Sequence, residues 1–351
     1  MKVSILITAY NCEQYIDDAI KSVVIQEMPF SWELLVGDDG SSDTTQERIN
    51  KWINRFPNNI KLYIMQRDKD SKKDGTRAAK NRANLLEKAT GEYLIFLDGD
   101  DQFIGTQKIK KQVELLDDKK YIECSCVAHN IMANDINNAK KYPLVDTFLH
   151  EGIIDSKYYW EKLYFHTNTI LFRSCCKQLM LNPKYRNFLN DNFITYIILQ
   201  YGKIYYINKL WAQYNLTGDG LWTGKKRTYG CFRNLIIFDL QLDIDKSFEK
   251  SCFIRHLYDF KYIFENYKKE DQPYIEPLIK NLDKKTFHYT FLMYHFYQDL
   301  DKNDRIEKKK LQFKITILQI YHNVSVHLDK LIVHMKKIKK NIFSLKISGS
   351  K

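Results

Sequence analysis

The chain reads as an α/β protein built on a doubly wound parallel sheet, and three observations lead there. Short apolar runs rich in Val, Ile and Leu recur through the first hundred residues, as at Val3-Ser4-Ile5-Leu6-Ile7-Thr8 and Leu94-Ile95-Phe96-Leu97. Stretches with helical spacing of apolar residues separate them, and strands alternating with helices imply parallel pairing. Three of the four runs in this stretch end in polar residues, and in such sheets ligands bind beyond the carboxyl ends of the strands.

The elements follow in order. Residues 3–8 form a first buried strand and residues 13–26 an amphipathic helix. Trp32-Glu33-Leu34-Leu35-Val36 is a second strand, closed by Gly37-Asp38-Asp39-Gly40. Ser42-Asp43 caps a helix running to Arg55, because short polar side chains satisfy the first free amides of a helix. Residues 60–65 are a third strand, and residues 76–89 a third helix with Gly91 as its stop. The fourth strand, residues 94–97, runs into Asp98-Gly99-Asp100-Asp101. From 104 to 222 the pattern is mixed, with short strands at 170–172 and 203–207 and a helix at 192–200. Beyond Lys225 it turns helical. Phe313, Ile317, Ile320, Val324, Leu328, Leu331, Met335, Ile338, Ile342 and Leu345 are spaced by threes and fours, the mark of a long amphipathic helix.

Composition narrows the class. The 351 residues can bury one large core or two modest ones, and 13 Gly with six Pro leave no room for a long flexible linker. None of the seven cysteines forms a CxxC pair or a zinc-like spacing. Their scatter, with no leader peptide at Met1, points to a reducing cytoplasm. No run of 18 uncharged apolar residues is present to span a membrane. Of the net charge of +12, residues 301–351 carry 13 Lys/Arg against four Asp/Glu. Nucleic-acid enzymes place basic residues around their site, and this chain places them on its tail, so nucleic acid is excluded as a partner. A tail in which Lys336, Lys337, Lys339 and Lys340 flank apolar positions can lie on an anionic membrane surface. The same spacing permits a helix–helix homodimer, or simple packing on its own domain.

The acids at the strand ends carry the chemistry. Three carboxylates at the end of a buried strand are costly unless a cation or hydrogen-bond donors compensate them. Oxygen ligands on a loop suit a hard divalent ion, Mg2+ or Mn2+. The first strand is followed by neither a Gly-x-Gly-x-x-Gly turn nor a Gly-Lys-Ser/Thr loop. Acids without a phosphate loop suggest a metal bridging phosphates instead.

Four linked motifs then carry a resemblance: Thr8-Ala9-Tyr10-Asn11, Gly37-Asp38-Asp39-Gly40-Ser41-Ser42-Asp43, Ala79-Lys80-Asn81-Arg82, and Gly91-Glu92-Tyr93 leading into Leu97-Asp98-Gly99-Asp100-Asp101. In order and spacing they resemble the large GT-A family of inverting glycosyltransferases, bacterial family 2. A thinner match continues through Asn190-Asp191 and Tyr214 to Thr223. The resemblance implies a nucleotide-diphosphate sugar donor, most often UDP-linked, a divalent metal, and a glycan or lipid-linked saccharide acceptor. By position, Thr8, Ala9 and Tyr10 line the nucleoside pocket and Asp39 accepts a hydrogen bond from the base. Arg77 and Arg82 face the nucleotide. Asp98 contacts the ribose or orders the metal shell, and Asp100 is a direct metal ligand. Asp38, Asp43 and Asp101 stand between ligand contact and turn stabilisation.

Glycosyl transfer requires a carboxylate to take the acceptor's proton. Asp191 stands where the family places an Asp, at the start of a helix that favours its ionised form; helix capping is the competing role. The family's usual Glu-Asp pair is Asn190-Asp191 here. Asp146, Glu151, Asp155 and His166 are further candidates on the acceptor side. Gly218-Asp219-Gly220-Leu221-Trp222 reads as a mobile loop, with Trp222 either on the ligand or in the core. The expected organisation is a nucleotide-sugar half at 1–105, an acceptor half at 106–224 and a helical region at 225–351. The expected activity is metal-dependent transfer that builds a bacterial surface glycan, by an enzyme that is cytoplasmic or peripheral on the inner face of the membrane. Two alternatives stay open: an inactive sugar-nucleotide or glycan-binding module, and a sugar-phosphate nucleotidyltransferase, which would want a Gly-rich loop with Arg after the first strand.

Overall fold

A computed structural model describes residues 1–67, 76–136, 139–143, 150–155, 158–159, 163, 165–216, 227–266 and 271–295. The chain divides into two compact units, Met1–Lys225 and Lys226–Lys351. The expected loop with Trp222, the residue Asp146 and the long basic helix at 313–345 lie outside the described residues. No helix among the described residues is long and apolar enough to cross a membrane.

In the first unit β1 (Val3–Ala9), β2 (Trp32–Asp38), β3 (Ile60–Ile64) and β4 (Tyr93–Asp98) are parallel, in the order β3-β2-β1-β4. Between them run α1 (Ile16–Val24), α2 (Thr45–Arg55) and α3 (Arg77–Lys88). Val3, Ile5, Leu6 and Ile7 are all fully buried, so both faces of the central strand are covered, as a parallel sheet requires. The doubly wound α/β fold read from the sequence is the fold found. Helix α1 starts later than its apolar spacing suggests, because Tyr15 and Ile16 both donate to the Cys12 carbonyl in a preceding turn.

After β4 come β5 (Gln102–Phe103), α4 (Lys108–Asp117), β6 (Cys124–Asp135), β7 (Lys140–Pro143), β8 (Gly152–Ile154), β9 (Leu171–Arg173), α5 (Lys177–Met180), α6 (Asp191–Leu199) and β10 (Lys203–Leu216). The sheet continues β4-β9-β6-β10-β5. Strand β9 is antiparallel to both neighbours, β4 and β6. Sequence reading missed β6, because Ser125, His129 and Asn130 interrupt its apolar character although all three are buried. It also stopped β10 at residue 207. Register shifts between Ile207 and Gln213 re-aim the strand like bulges and let it run on to Leu216.

Gly91 does not stop α3, as expected from its position. The helix ends at Lys88, with Ala89 already extended at φ −65° and ψ 131°. Gly91 instead permits a close approach of chains, since a Cβ there would lie 2.4 Å from Ser4 N. Its N–H donates to Ser4 Oγ (2.8 Å), which donates to buried Glu33 Oε1 (2.6 Å). Thr90 N and Oγ1 donate to the same oxygen at 2.8 Å.

The second unit contains α7 (Arg227–Ile244), α8 (Glu249–Asn266), α9 (Gln272–Ile279) and α10 (His288–His295). Phe238 is the hub of its core, edge-on to Phe253, Phe260 and Tyr289 at 5.6, 5.3 and 5.0 Å. Next to it Asp239 accepts from Tyr289 N (2.9 Å), Thr290 N (2.8 Å) and Thr290 Oγ1 (2.6 Å), satisfying the free amides at the start of α10. Burial nevertheless pushes the Asp239 carboxyl up to about 7.

Two outcomes follow from these contacts. Gly91→Ala should cost about 1–3 kcal/mol, as overpacking does, in denaturant unfolding; a change within about 0.5 kcal/mol would show that the strand start simply yields. Because Asp239 is more easily protonated folded than unfolded, its contribution to stability is greatest at low pH and declines as pH rises from about 4 to 7. The unfolding free energy of the natural chain minus that of Asp239→Asn should therefore fall between pH 4 and 8. A flat difference would show that the three donors fully offset burial.

Candidate active site

The register of the sheet brings the motif residues together. Thr8 is level with Gly37 on one side and Asp98 on the other, and Ala9 with Asp38. All lie at carboxyl ends of parallel strands. The acid turn is short: Gly99 N donates to Thr8 O (2.8 Å) and Asp101 N to Asp98 O (2.9 Å). A side chain at 99 would meet Cys12 Sγ at 3.0 Å and Thr8 O at 3.1 Å, so the turn packs tightly against β1 there.

One polar chain crosses this end of the sheet. Thr8 Oγ1 donates to Asp98 Oδ1 (2.6 Å), and Arg82 Nη2 from α3 reaches both Asp98 oxygens at 3.0 and 3.2 Å. Arg82 also donates to Leu189 O (3.2 Å) and stands 3.8 Å from Asp191 Oδ1. Asp191 accepts from Thr167 Oγ1 (3.2 Å), and its Oδ2 is 3.4 Å from His166 Nε2. Asp191 opens α6 but its carboxylate does not cap it. The cap is Asn190, whose side chain accepts from Phe193 N at 2.9 Å. The residue that replaces the family's Glu therefore orders the helix start, and leaves the Asp191 carboxylate facing Arg82 and His166.

Asp98, Asp101 and His166 offer ligand atoms that all lie within 4.8 Å of one another. Asp100 is not among the three, although the resemblance implied Asp98 and Asp100. Asp101 is buried, and accepts from Asn168 Nδ2 (3.0 Å) and Asn215 N (2.9 Å). His166 is buried too and lies against the Tyr214 ring at 4.7 Å between centroids. Burial raises the Asp98 carboxyl, but Arg82, His166 and the Thr8 hydroxyl outweigh it and hold Asp98 below its ordinary value. Burial and then the Asp98 charge push Asp100 up to about 6. Burial, with Asp100 and Asp98 beside it, drives Asp101 well above the ordinary carboxylate range. A pocket that penalises its own negative charge in this way suits a cation.

A second cluster surrounds Asp39. Its N–H donates to Ala9 O (2.9 Å), and its carboxylate is paired with Arg67 and with Arg77 Nε at 2.7 Å. The Arg67 guanidinium also lies over the exposed Tyr10 ring, 3.6 Å from its centre. Thr8, Ala9, Tyr10, Asp39, Arg77, Arg82 and Asp98 thus share one end of the sheet. Arg67 was not anticipated, yet it stands just past the end of β3, where the strand-end argument already applied to the other three strands points. Asp38 serves its own turn, accepting from Ser41 N (2.9 Å) and Gln46 Nε2 (2.7 Å). Asp43 accepts from Thr45 N (3.0 Å) at the start of α2 and from Glu13 N (3.2 Å). Asp155 accepts from Tyr158 N (3.3 Å), and it follows β8, which pairs with the first residues of β10 at the opposite end of the sheet.

Asn190→Ala should lower stability by about 1 kcal/mol, as loss of a helix cap does, while Asn190→Ser should retain most of it. Thermal unfolding of the three proteins checks this; equal losses for Ala and Ser would show that the cap is not what Asn190 supplies.

Comparison with known proteins gives the family. Residues 4–180, just over half of the chain, match the model of Glycosyl transferase family 2. TuaG of Bacillus subtilis (strain 168), provisionally named a teichuronic acid biosynthesis glycosyltransferase, is 28% identical over 252 residues, 66% of this chain and 88% of TuaG. TarS of Staphylococcus aureus (strain Mu50 / ATCC 700699), named a poly(ribitol-phosphate) beta-N-acetylglucosaminyltransferase, is 31% identical over 119 residues. That match spans 34% of this chain but only 19% of TarS. The crystal structure of S. aureus TarS 1-349 in complex with UDP-GlcNAc superposes with a TM-score of 0.59 at 18% identity, covering 84% of this chain and 88% of that one, and shares its fold. The chain is a glycosyltransferase and belongs to Glycosyl transferase family 2.

Proposed function

We propose that this enzyme moves a sugar, with inversion, from a UDP-linked donor to a hydroxyl of a bacterial surface glycan or a lipid-linked saccharide. The observation that carries the proposal is the meeting of Asp191 with Arg82, His166 and the Asp98–Asp101 turn in one pocket. The relatives support the substrate classes: one carries teichuronic acid biosynthesis in its name, another a poly(ribitol-phosphate) acceptor, and the superposed structure holds UDP-GlcNAc. Residues 1–105 hold the donor, and residues 106–224 supply the base and the acceptor side.

In the reaction the acceptor oxygen attacks the anomeric carbon as Asp191 takes its proton. The bond from that carbon to the diphosphate oxygen breaks, and the electron pair leaves with the nucleoside diphosphate. Arg82, 3.8 Å from Asp191 Oδ1, orients that carboxylate and lends positive charge where the leaving diphosphate gathers negative charge. Asp39, held by Arg67 and Arg77, presents an acceptor to a base N–H beside the Tyr10 ring. Two carboxylates and an imidazole within 4.8 Å fit a divalent ion, and Mn2+ tolerates this mixed set better than Mg2+, which demands a strict oxygen octahedron. When bound, such an ion acts as a Lewis acid on the diphosphate.

Melting curves against UDP-, GDP-, CDP- and dTDP-sugars, with and without Mn2+, test the donor and metal. Ligand at a hundred times its dissociation constant adds about 2.7 kcal/mol, so a metal-dependent shift with the UDP-sugar is expected. Absence of any shift sinks the donor assignment. Asp191→Asn should keep that shift and lose about 10²–10⁴-fold in transfer rate; full activity would remove Asp191 from the role of base.

A further inference from the structure

Strand β10 passes beside the acid turn, and one of its amides makes contacts that neither the base nor the donor cluster explains. Asn215 N donates to Asp101 Oδ1 (2.9 Å), and Asn215 Nδ2 donates to the backbone carbonyl of Asp100 (2.6 Å). On its other side Asn215 Oδ1 accepts from Asn134 Nδ2 (2.7 Å) and Gln213 Nε2 (2.9 Å). Gln213 Oε1 in turn accepts from Lys141 Nζ of β7 (3.3 Å). With two N–H donors on its oxygen, the amide has only one workable orientation, and its NH2 must face the acids.

We propose that Asn215 is a positioning residue: it fixes the backbone of Asp100 and Asp101 so that Asp98, Asp101 and His166 converge on a divalent cation. The proposal rests on the reading of the strand-end acids as the cation and diphosphate site. Asp98, Asp100 and Asp101 repel one another across a four-residue turn. The turn is tied to β1 through Gly99 N and Thr8 O. Its far side is tied to β10 by Asn215, and Asn168 holds the second Asp101 oxygen. An amide suits this place because it grips a carbonyl without adding charge, and because Asn134, level with Asn215 on β6, and Gln213 brace it from behind. Groups that orient ligands in this manner typically govern cation affinity by 10–100-fold.

Direct Mn2+ titration of the full chain, read as free Mn2+ by electron paramagnetic resonance, tests this, alongside the melting temperature without cation. Asn215→Leu keeps the branched heavy-atom outline and the backbone N–H and replaces the amide with two bulkier methyl groups. It should weaken Mn2+ binding about tenfold or more while the cation-free melting temperature stays put, a split that a purely structural contact would not give. If Asn215→Leu binds Mn2+ as the natural chain does, the positioning role is wrong. Should Asn215→Leu lose stability as well, Asn134→Leu decides: it leaves the NH2 in place but takes away one brace. A several-fold weaker Mn2+ affinity in a normally stable Asn134→Leu protein supports the proposal, and unchanged affinity overturns it. If the natural chain itself binds no Mn2+, with or without UDP, the cation-site reading falls and this proposal with it, a result distinct from equal binding by both proteins.

Discussion

One guanidinium holds together carboxylates that the chain supplies about ninety residues apart. Arg82 bonds Asp98 at the end of β4 and stands 3.8 Å from Asp191 at the start of α6. Its side chain is almost wholly removed from solvent. Without it, two partly buried carboxylates would lose their shared cation, Asp98 keeping the Thr8 hydroxyl, and Asp191 the Thr167 hydroxyl and His166. The constraint runs outward from there. Helix α3 must pack where Arg82 can reach the strand ends, and Leu189 must present its carbonyl to the same guanidinium. Thr8 must sit level with Asp98, which the parallel register of β1 and β4 secures.

The acid turn shows the opposite economy. Asp100 and Asp101 are held where burial and mutual repulsion disfavour their charge. Sites that must bind a charged ligand commonly keep such strain and lose stability for it. The surrounding amides of Asn168 and Asn215 limit the loss by donating to Asp101 without neutralising it.

Much of this was legible in the chain. The strands at 3–8, 32–36 and 94–97 and the polar residues that follow them announce themselves because a buried parallel strand is a largely apolar run, and a polar stop breaks it visibly. Arg82 and Asp191 were reachable through motif position. Other features depend on tertiary proximity, which no local pattern records. His166 sits in a polar stretch whose meaning comes only from the approach of Asp98 and Asp101. Asn190 and Asp191 are both acceptable caps by composition, and only backbone geometry assigns the cap to Asn190. Strand β6 was obscured because Ser125, His129 and Asn130 are polar yet buried; Ser125, for example, donates to the Lys203 carbonyl of β10 (3.3 Å), a partner that no local pattern records. Asn215 lies in a strand whose continuation past residue 207 required register shifts that propensity does not foresee.

The antiparallel strand β9 sets an order of events during synthesis. As the chain leaves the ribosome, β1 to β4 and their helices are complete by Asp98, and the pairing among them needs nothing later. The outer edge of β4, however, pairs with β9, which begins only at Leu171. For some seventy residues of translation that edge presents Tyr93, Leu94 and their unpaired backbone to its surroundings. At a few to twenty residues per second this lasts about 4–15 s, and an open apolar edge is a template for pairing with other chains. A three-residue strand is short for such a duty. It is braced by Arg173, which donates to the carbonyls of Cys124 (3.0 Å) and Leu116 (2.8 Å). The nascent protein is therefore most exposed to misassociation while residues 99–170 emerge, and β9 is the latch that ends this period.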